Sequence, residues 1–247
     1  MKEAPGSSFE SHDFPKFKHL KDVSDAIIAC VGTFEQITKD PIAQKKHFLD
    51  KLLQSSKVHN VDYFGDPISL VEKKMKNAGK NSYAISPIDD LDKFSNTFKN
   101  CTGLLVTGKD KETGKNISFL SHQDPGYFLN KEDNRRAFTS DLRQRLAELK
   151  ERSAEGTVDA VIVGGNTQRS GKFHKDYLES IQFLSTEVTS VFGFEPVVMT
   201  GPKTVAGGEN VIYDNEHRRL YVVRPEVGNE TTESFLPSDI QTQQKKW

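Results

Sequence analysis

Cys101-Thr-Gly-Leu-Leu-Val-Thr107, Gly108-Lys-Asp-Lys-Glu-Thr-Gly114 and Ile117-Ser-Phe-Leu-Ser-His122 follow closely on one another in a chain of 247 residues. The outer two stretches carry the aliphatic, aromatic and β-branched content of strands, and the polar, glycine-bounded middle reads as a turn, so the three predict a β-hairpin. Such a hairpin places Cys101, at the entry of one strand, beside His122, at the end of the other. A thiol next to an imidazole is the minimal nucleophile and base of a cysteine hydrolase.

Working outward, the residues after the hairpin alternate between helical and extended patterns. Phe138, Leu142, Leu146 and Leu149 step by four, four and three, which predicts a helix over about 131–153 with Arg and Glu on its other faces. Val158-Asp-Ala-Val-Ile-Val163 is a strand ending in Gly164-Gly165, and Tyr177, Ile181, Leu184, Val188 and Val191 mark a second amphipathic helix. Pro196–Thr200, Asn210–Tyr213 and Arg219–Val223 are short strands, the last two joined by the turn Asp214–Arg218. Before the hairpin, Tyr83–Ile88 reads as a short strand.

The first third reads differently. Helices are expected over about 20–31, after Asp40-Pro41 with Ile42, Phe48, Leu49, Leu52 and Leu53 on one face, and after Asp66-Pro67 as far as Gly79. The ends are polar and weakly periodic. The expected organisation is a flexible start (1–17), a helical N-terminal region (18–80), a catalytic domain (81–227) and a flexible tail (228–247). The fold class is α/β (α+β): a mixed β-sheet sandwich covered by helices.

The 34 basic and 35 acidic residues nearly cancel, so neither nucleic acid nor an anionic membrane is expected as a partner. Without a long apolar run or an apolar leader, the expected compartment is cytoplasmic. Cys30 lies in the apolar run Ala26–Val31 and reads as a small buried hydrophobe, and two cysteines make neither a disulfide framework nor a zinc site. No His, Asp, Glu or Cys grouping has metal-ligand spacing, so no metal and no cofactor are expected. Gly201-Pro-Lys-Thr-Val-Ala-Gly-Gly208 lacks the spacing of a phosphate loop.

Attack on an amide carbon needs a thiolate, a base, a group to orient the base, and donors for the oxyanion. Cys101 and His122 fit the first two roles. The orienting group is Ser95, with Thr97 as alternate, and the Cys101 N–H with the Asn100 side chain are oxyanion donors. Gly164 and Gly165, with Asn166 and Gln168 just beyond them, are candidates for the oxyanion and substrate cleft. Each residue also has a plainer reading: a strand-end thiol, a surface histidine, a glycine turn.

The order of cysteine, hairpin, histidine, helix, strand with Gly164-Gly165, helix and the late Gly207-Gly208 before a final hairpin resembles the chemotaxis receptor glutamine deamidase family. It is similar also to the catalytic domain of cytotoxic necrotizing factor toxins and to N-terminal asparagine amidohydrolase. The resemblance covers about 83–224 and implies Cys101 as nucleophile, His122 as base, and Ser95, six positions before the cysteine, as the hydroxyl of a triad. It implies hydrolysis of a Gln or Asn side-chain amide on a protein substrate, without a cofactor. Two departures stand out: Lys99-Asn100 occupies the place of the family's small pair, and the hairpin is longer, with Lys109, Lys111 and Lys115 near its tip. A cysteine protease, a transglutaminase or a catalytically inactive protein-binding domain of the same fold are the alternatives.

Overall fold

The computed structural model describes residues 16–18, 26–46, 58–60, 83–98, 100–165, 172–199, 209–224 and 234–240. In chain order they form β1 (Lys16–Lys18), β2 (Ile28–Thr33), α1 (Phe34–Ile37), α2 (Pro41–Lys46), β3 (Val58–Asn60), β4 (Tyr83–Ile85), β5 (Asp92–Phe98), β6 (Thr102–Lys109) and β7 (Asn116–Gln123). Next come α3 (Pro125–Phe128), α4 (Glu132–Arg152), β8 (Asp159–Gly164), α5 (Lys172–Phe192), β9 (Val197–Met199), β10 (Glu209–Asp214), β11 (Arg219–Arg224) and β12 (Ser234–Phe235). The strands make two mixed six-stranded sheets, ordered β1-β2-β11-β10-β5-β3 and β12-β9-β8-β6-β7-β4.

Side-chain alternation along the strands builds the layers. On β6, Leu104 and Val106 face α4 and α5, where they meet Phe138, Leu142, Ile181 and Leu184, while Leu105 faces the other sheet and meets Val211, Leu220 and Val222. β8 is buried along its whole length because it packs on both faces. The outer face of the first sheet carries Cys30, Ile212 and Tyr221 under Ile37 of α1 and Ala43 of α2. The result is a helix, sheet, sheet, helix sandwich, the expected α/β class.

The hairpin, α4, β8, α5 and the strands after it lie where the sequence places them. The helical N-terminal expectation fails at Ile28–Thr33. This run is β2, antiparallel to β1 and parallel to β11, with Tyr221 beside Cys30. An unbroken apolar run suits a strand buried on both faces as well as a buried helix, and pairing with β11 decides between them. Cys30 itself is fully buried, as expected. The helix after Asp40-Pro41 is present as α2, with Asp40 Oδ1 accepting the Ile42 N–H at 2.8 Å. The helix expected after Asp66-Pro67 lies outside the described residues.

Both ends expected to be flexible contribute structure. Lys16 and Phe17 begin β1, and β12 pairs antiparallel with β9, burying Phe235 beside Val198. Among the described residues no helix is long and apolar enough to cross a membrane.

β5 carries the irregularity that matters most. Phe98 stands opposite Glu209 and Ser95 opposite Val211, so three steps on β5 span two on β10. The extra residue is a β-bulge, and it lets Ser95 and Phe98 point into the same inter-sheet space although an uninterrupted strand would send them to opposite faces.

Candidate functional site

Ser95 and His122 meet across the sandwich, one from each sheet. Ser95 Oγ lies 2.7 Å from His122 Nδ1, and both side chains are buried. The Phe98 ring stacks on the imidazole, centroids 4.0 Å apart and planes within 15°. Space for that ring comes from Gly103, where a Cβ would stand 2.8 Å from the Phe98 ring and 2.7 Å from the Ser121 carbonyl oxygen. Burial pushes the imidazole pKa down to about 3, so His122 is neutral at neutral pH. When the ring donates from Nδ1 to Ser95 Oγ, Nε2 keeps the lone pair that a general base needs.

Cys101 immediately precedes β6. Thr102 pairs with Gln123 and Leu105 with Leu120, a register that sets Gly103 across from His122 and Cys101 one diagonal step away on the same face. The sequence anticipated residues side by side, and the ladder sharpens this to a diagonal, where neighbours stand roughly 7–8 Å apart and longer side chains reach one another. Cys101 is half-buried and packs on the inter-sheet core. On the helix-facing side, Thr102 Oγ1 lies 2.7 Å from Ser180 Oγ of α5 and accepts from Gln123 Nε2 at 3.1 Å, anchoring the start of β6.

The paired glycines sit directly behind the cysteine. Gly164 and Gly165 have φ of +84° and +78°, and a Cβ on Gly165 would overlap the Tyr177 ring at 2.1 Å. The Gly165 N–H donates to the Cys101 carbonyl at 2.8 Å, and the Gly164 N–H lies close enough to the Glu209 carboxylate to pull its pKa down. The Gly165 N–H is therefore engaged and is not directed at a substrate oxygen. The Cys101 N–H and the Asn100 amide remain the oxyanion candidates. Thr97 lies in β5, but its side chain is outside the described residues, as are Lys99, Asn166, Gln168 and Gly207-Gly208.

Sequence reasoning missed the Glu209–Arg224 pair. Glu209 Oε2 lies 3.0 Å from Arg224 Nε, with side-chain exposures of only 1% and 4%. Burial raises the Glu209 pKa, against the pull of Arg224 and of the Gly164 N–H. The signal was available in the turn Asp214–Arg218: the register that pairs Asp214 with Arg219 and Asn210 with Val223 continues to set Glu209 across from Arg224. Beyond His122, Asp124 caps α3 by accepting the Gly126 N–H at 2.9 Å, and burial raises its pKa with a further push from Asp176.

At the other end of the β10–β11 hairpin, Asp214, Glu216 and His217 bring three donor atoms within 4.8 Å of one another. His217 Nδ1 lies 2.8 Å from Asp214 Oδ2, and both Glu216 and His217 are exposed. No protein-family model and no curated protein matches this chain.

Proposed function

We propose that the protein is a cysteine-dependent amidohydrolase that deamidates a Gln or Asn side chain of a protein substrate. The observation that carries this reading is the buried Ser95–His122 hydrogen bond, 2.7 Å, one ladder diagonal from a half-buried cysteine. A hydroxyl that fixes the tautomer, an imidazole presented edge-on by a stacked Phe98, and a thiol at the open end of a strand are the parts that acyl transfer to sulfur needs.

In this mechanism Cys101 Sγ attacks the carboxamide carbon while His122 Nε2 takes the thiol proton. Because burial keeps the resting imidazole neutral, that proton moves as substrate arrives rather than standing as a preformed ion pair. The Cys101 N–H and the Asn100 amide donate to the oxyanion. Collapse returns the proton to the leaving nitrogen, ammonia departs, and a thioester remains. Water, deprotonated by the same imidazole, attacks the thioester and releases the carboxylic acid and the thiol. The sum is amide plus water to acid plus ammonia, and it requires no cofactor.

The same acyl-enzyme formed from a peptide bond would make a protease, and its capture by an amine a transglutaminase. The near-complete burial of His122 favours a second reading, a non-catalytic binding domain in which the Ser95 bond only holds the sheets together. Incubation of the native protein and Cys101→Ala with a cell lysate, followed by peptide mass spectrometry, separates these. The amidohydrolase produces Gln or Asn sites that gain about 1 Da with the native protein alone, the change of amide to acid. Chain cleavage or crosslinks instead would identify the other acyl transfers, and identical peptides from both proteins would overturn the enzymatic reading.

A further inference from the structure

We infer that Glu209 and Arg224 are a positioning pair for the nucleophile, holding the Cys101 backbone through the Gly164-Gly165 turn. The inference rests on the reading of Cys101 as nucleophile. Removing two charges from water is costly, and an apolar pair of similar volume commonly gives equal or better stability. The carboxylate does what no apolar side chain can: from the first sheet, opposite Phe98, it offers a negative charge to the Gly164 N–H of the second, against which the Phe98 ring also packs. The next N–H along, that of Gly165, donates to the Cys101 carbonyl at 2.8 Å.

The fit at this turn is tight. A Cβ on Gly164 would stand 2.5 Å from the Cys101 oxygen and 2.8 Å from the Phe98 ring. On its other side, Glu209 is the ladder partner of Phe98, the ring that stacks on His122. One buried carboxylate thus abuts both halves of the site, with Arg224 at 3.0 Å to neutralise and orient it. Neither residue faces a substrate. Their effect is to set where the thiol stands relative to the imidazole.

The test is the rate at which iodoacetamide modifies Cys101, followed by mass spectrometry alongside the thermal midpoint. In the double variant Glu209→Met/Arg224→Met no buried charge is stranded, but Gly164 loses the carboxylate beside it. Its midpoint is expected within a few degrees of native, with Cys101 modified about tenfold more slowly. Glu209→Gln, which restores an acceptor, is expected to recover the rate to within about threefold. Should the double variant not fold, Glu209→Asp draws the carboxylate back by one methylene, and a rate about fivefold below native is expected.

Modification at the native rate in the folded double variant, or in Glu209→Asp, overturns the inference. His122→Ala separates this result from failure of the nucleophile reading. If native and His122→Ala react equally slowly, the nucleophile itself is wrong. If native is fast and the Glu209 variants equally fast, only the positioning pair is.

Discussion

The two ends of the inter-sheet space are both stapled by buried polar groups, but with different chemistry. At the end toward the Asp214–Arg218 turn the staples are charged and amide side chains directed at backbone. Asp159 accepts the Ile27 N–H at 2.8 Å, Arg218 donates to the Thr157 carbonyl at 2.9 Å, and Asn116 donates to the Asn215 carbonyl at 2.9 Å. Nearby, the buried Lys93 ammonium lies 2.7 Å from Asp89. At the other end, alongside the buried Glu209–Arg224 pair, a neutral hydroxyl meets a neutral imidazole across the sheets, beside a half-buried thiol. Groups that only hold are best kept in one protonation state. A dyad that works has to accept a proton and return it, and a neutral buried histidine next to a thiol is arranged to do so.

The largest effect expected from breaking this comparison is at the structural end. Asp159→Ala leaves the buried Ile27 and Ala160 N–H groups without their carboxylate and is expected to lower stability by about 3–5 kcal/mol in urea unfolding. At a temperature where it remains folded, Cys101 should alkylate within about twofold of native. A large fall in thiol reactivity would mean that the two ends are not separable.

The next effect sharpens the working end. A histidine whose folded pKa of about 3 lies below its unfolded value near 6.5 contributes stability that is complete above pH 6.5 and is lost as pH falls toward 3. Native protein should therefore lose about 2 kcal/mol more than His122→Asn between pH 7 and pH 5. The raised carboxyls of Asp124 and Glu209 act in the opposite sense and are common to both proteins. Parallel pH curves would mean that His122 is accessible to protons in the folded state. Smallest is Ser95→Ala, which leaves the imidazole in place without its orienting hydroxyl. It is expected to slow Cys101 alkylation about tenfold, read by mass spectrometry, and a native rate would remove Ser95 from the site.

The second sheet was legible in the sequence far better than the first. β6, β7, α4, β8 and α5 announce themselves by local periodicity and by turns that close within a few residues. β2 does not, because its apolar run carries no period and its partner, β11, lies near the opposite end of the chain. β5 reads as polar: Asp92-Lys-Phe-Ser-Asn-Thr-Phe98 contains buried Lys93 and Ser95, and its bulge destroys the alternation that would mark a strand. The site divides in the same way. Cys101 and His122 follow from a hairpin register, whereas no periodicity relates Ser95 to them, since it arrives on the other sheet. Its place just before Cys101 ranks that residue only slightly above Thr97, and the family resemblance singles it out. Glu209 and Arg224 look like ordinary surface charges until the hairpin register sets them opposite each other.

The central claim is that His122 activates Cys101. It is tested most directly by the rate of Cys101 carboxamidomethylation by iodoacetamide at pH 7 in native protein and in folded His122→Ala, measured on the tryptic peptide that contains the cysteine. Loss of a general base predicts native labelling faster by about tenfold to a hundredfold. Equal, slow labelling of the two proteins would contradict the account and leave the Ser95–His122 bond as one more staple between the sheets.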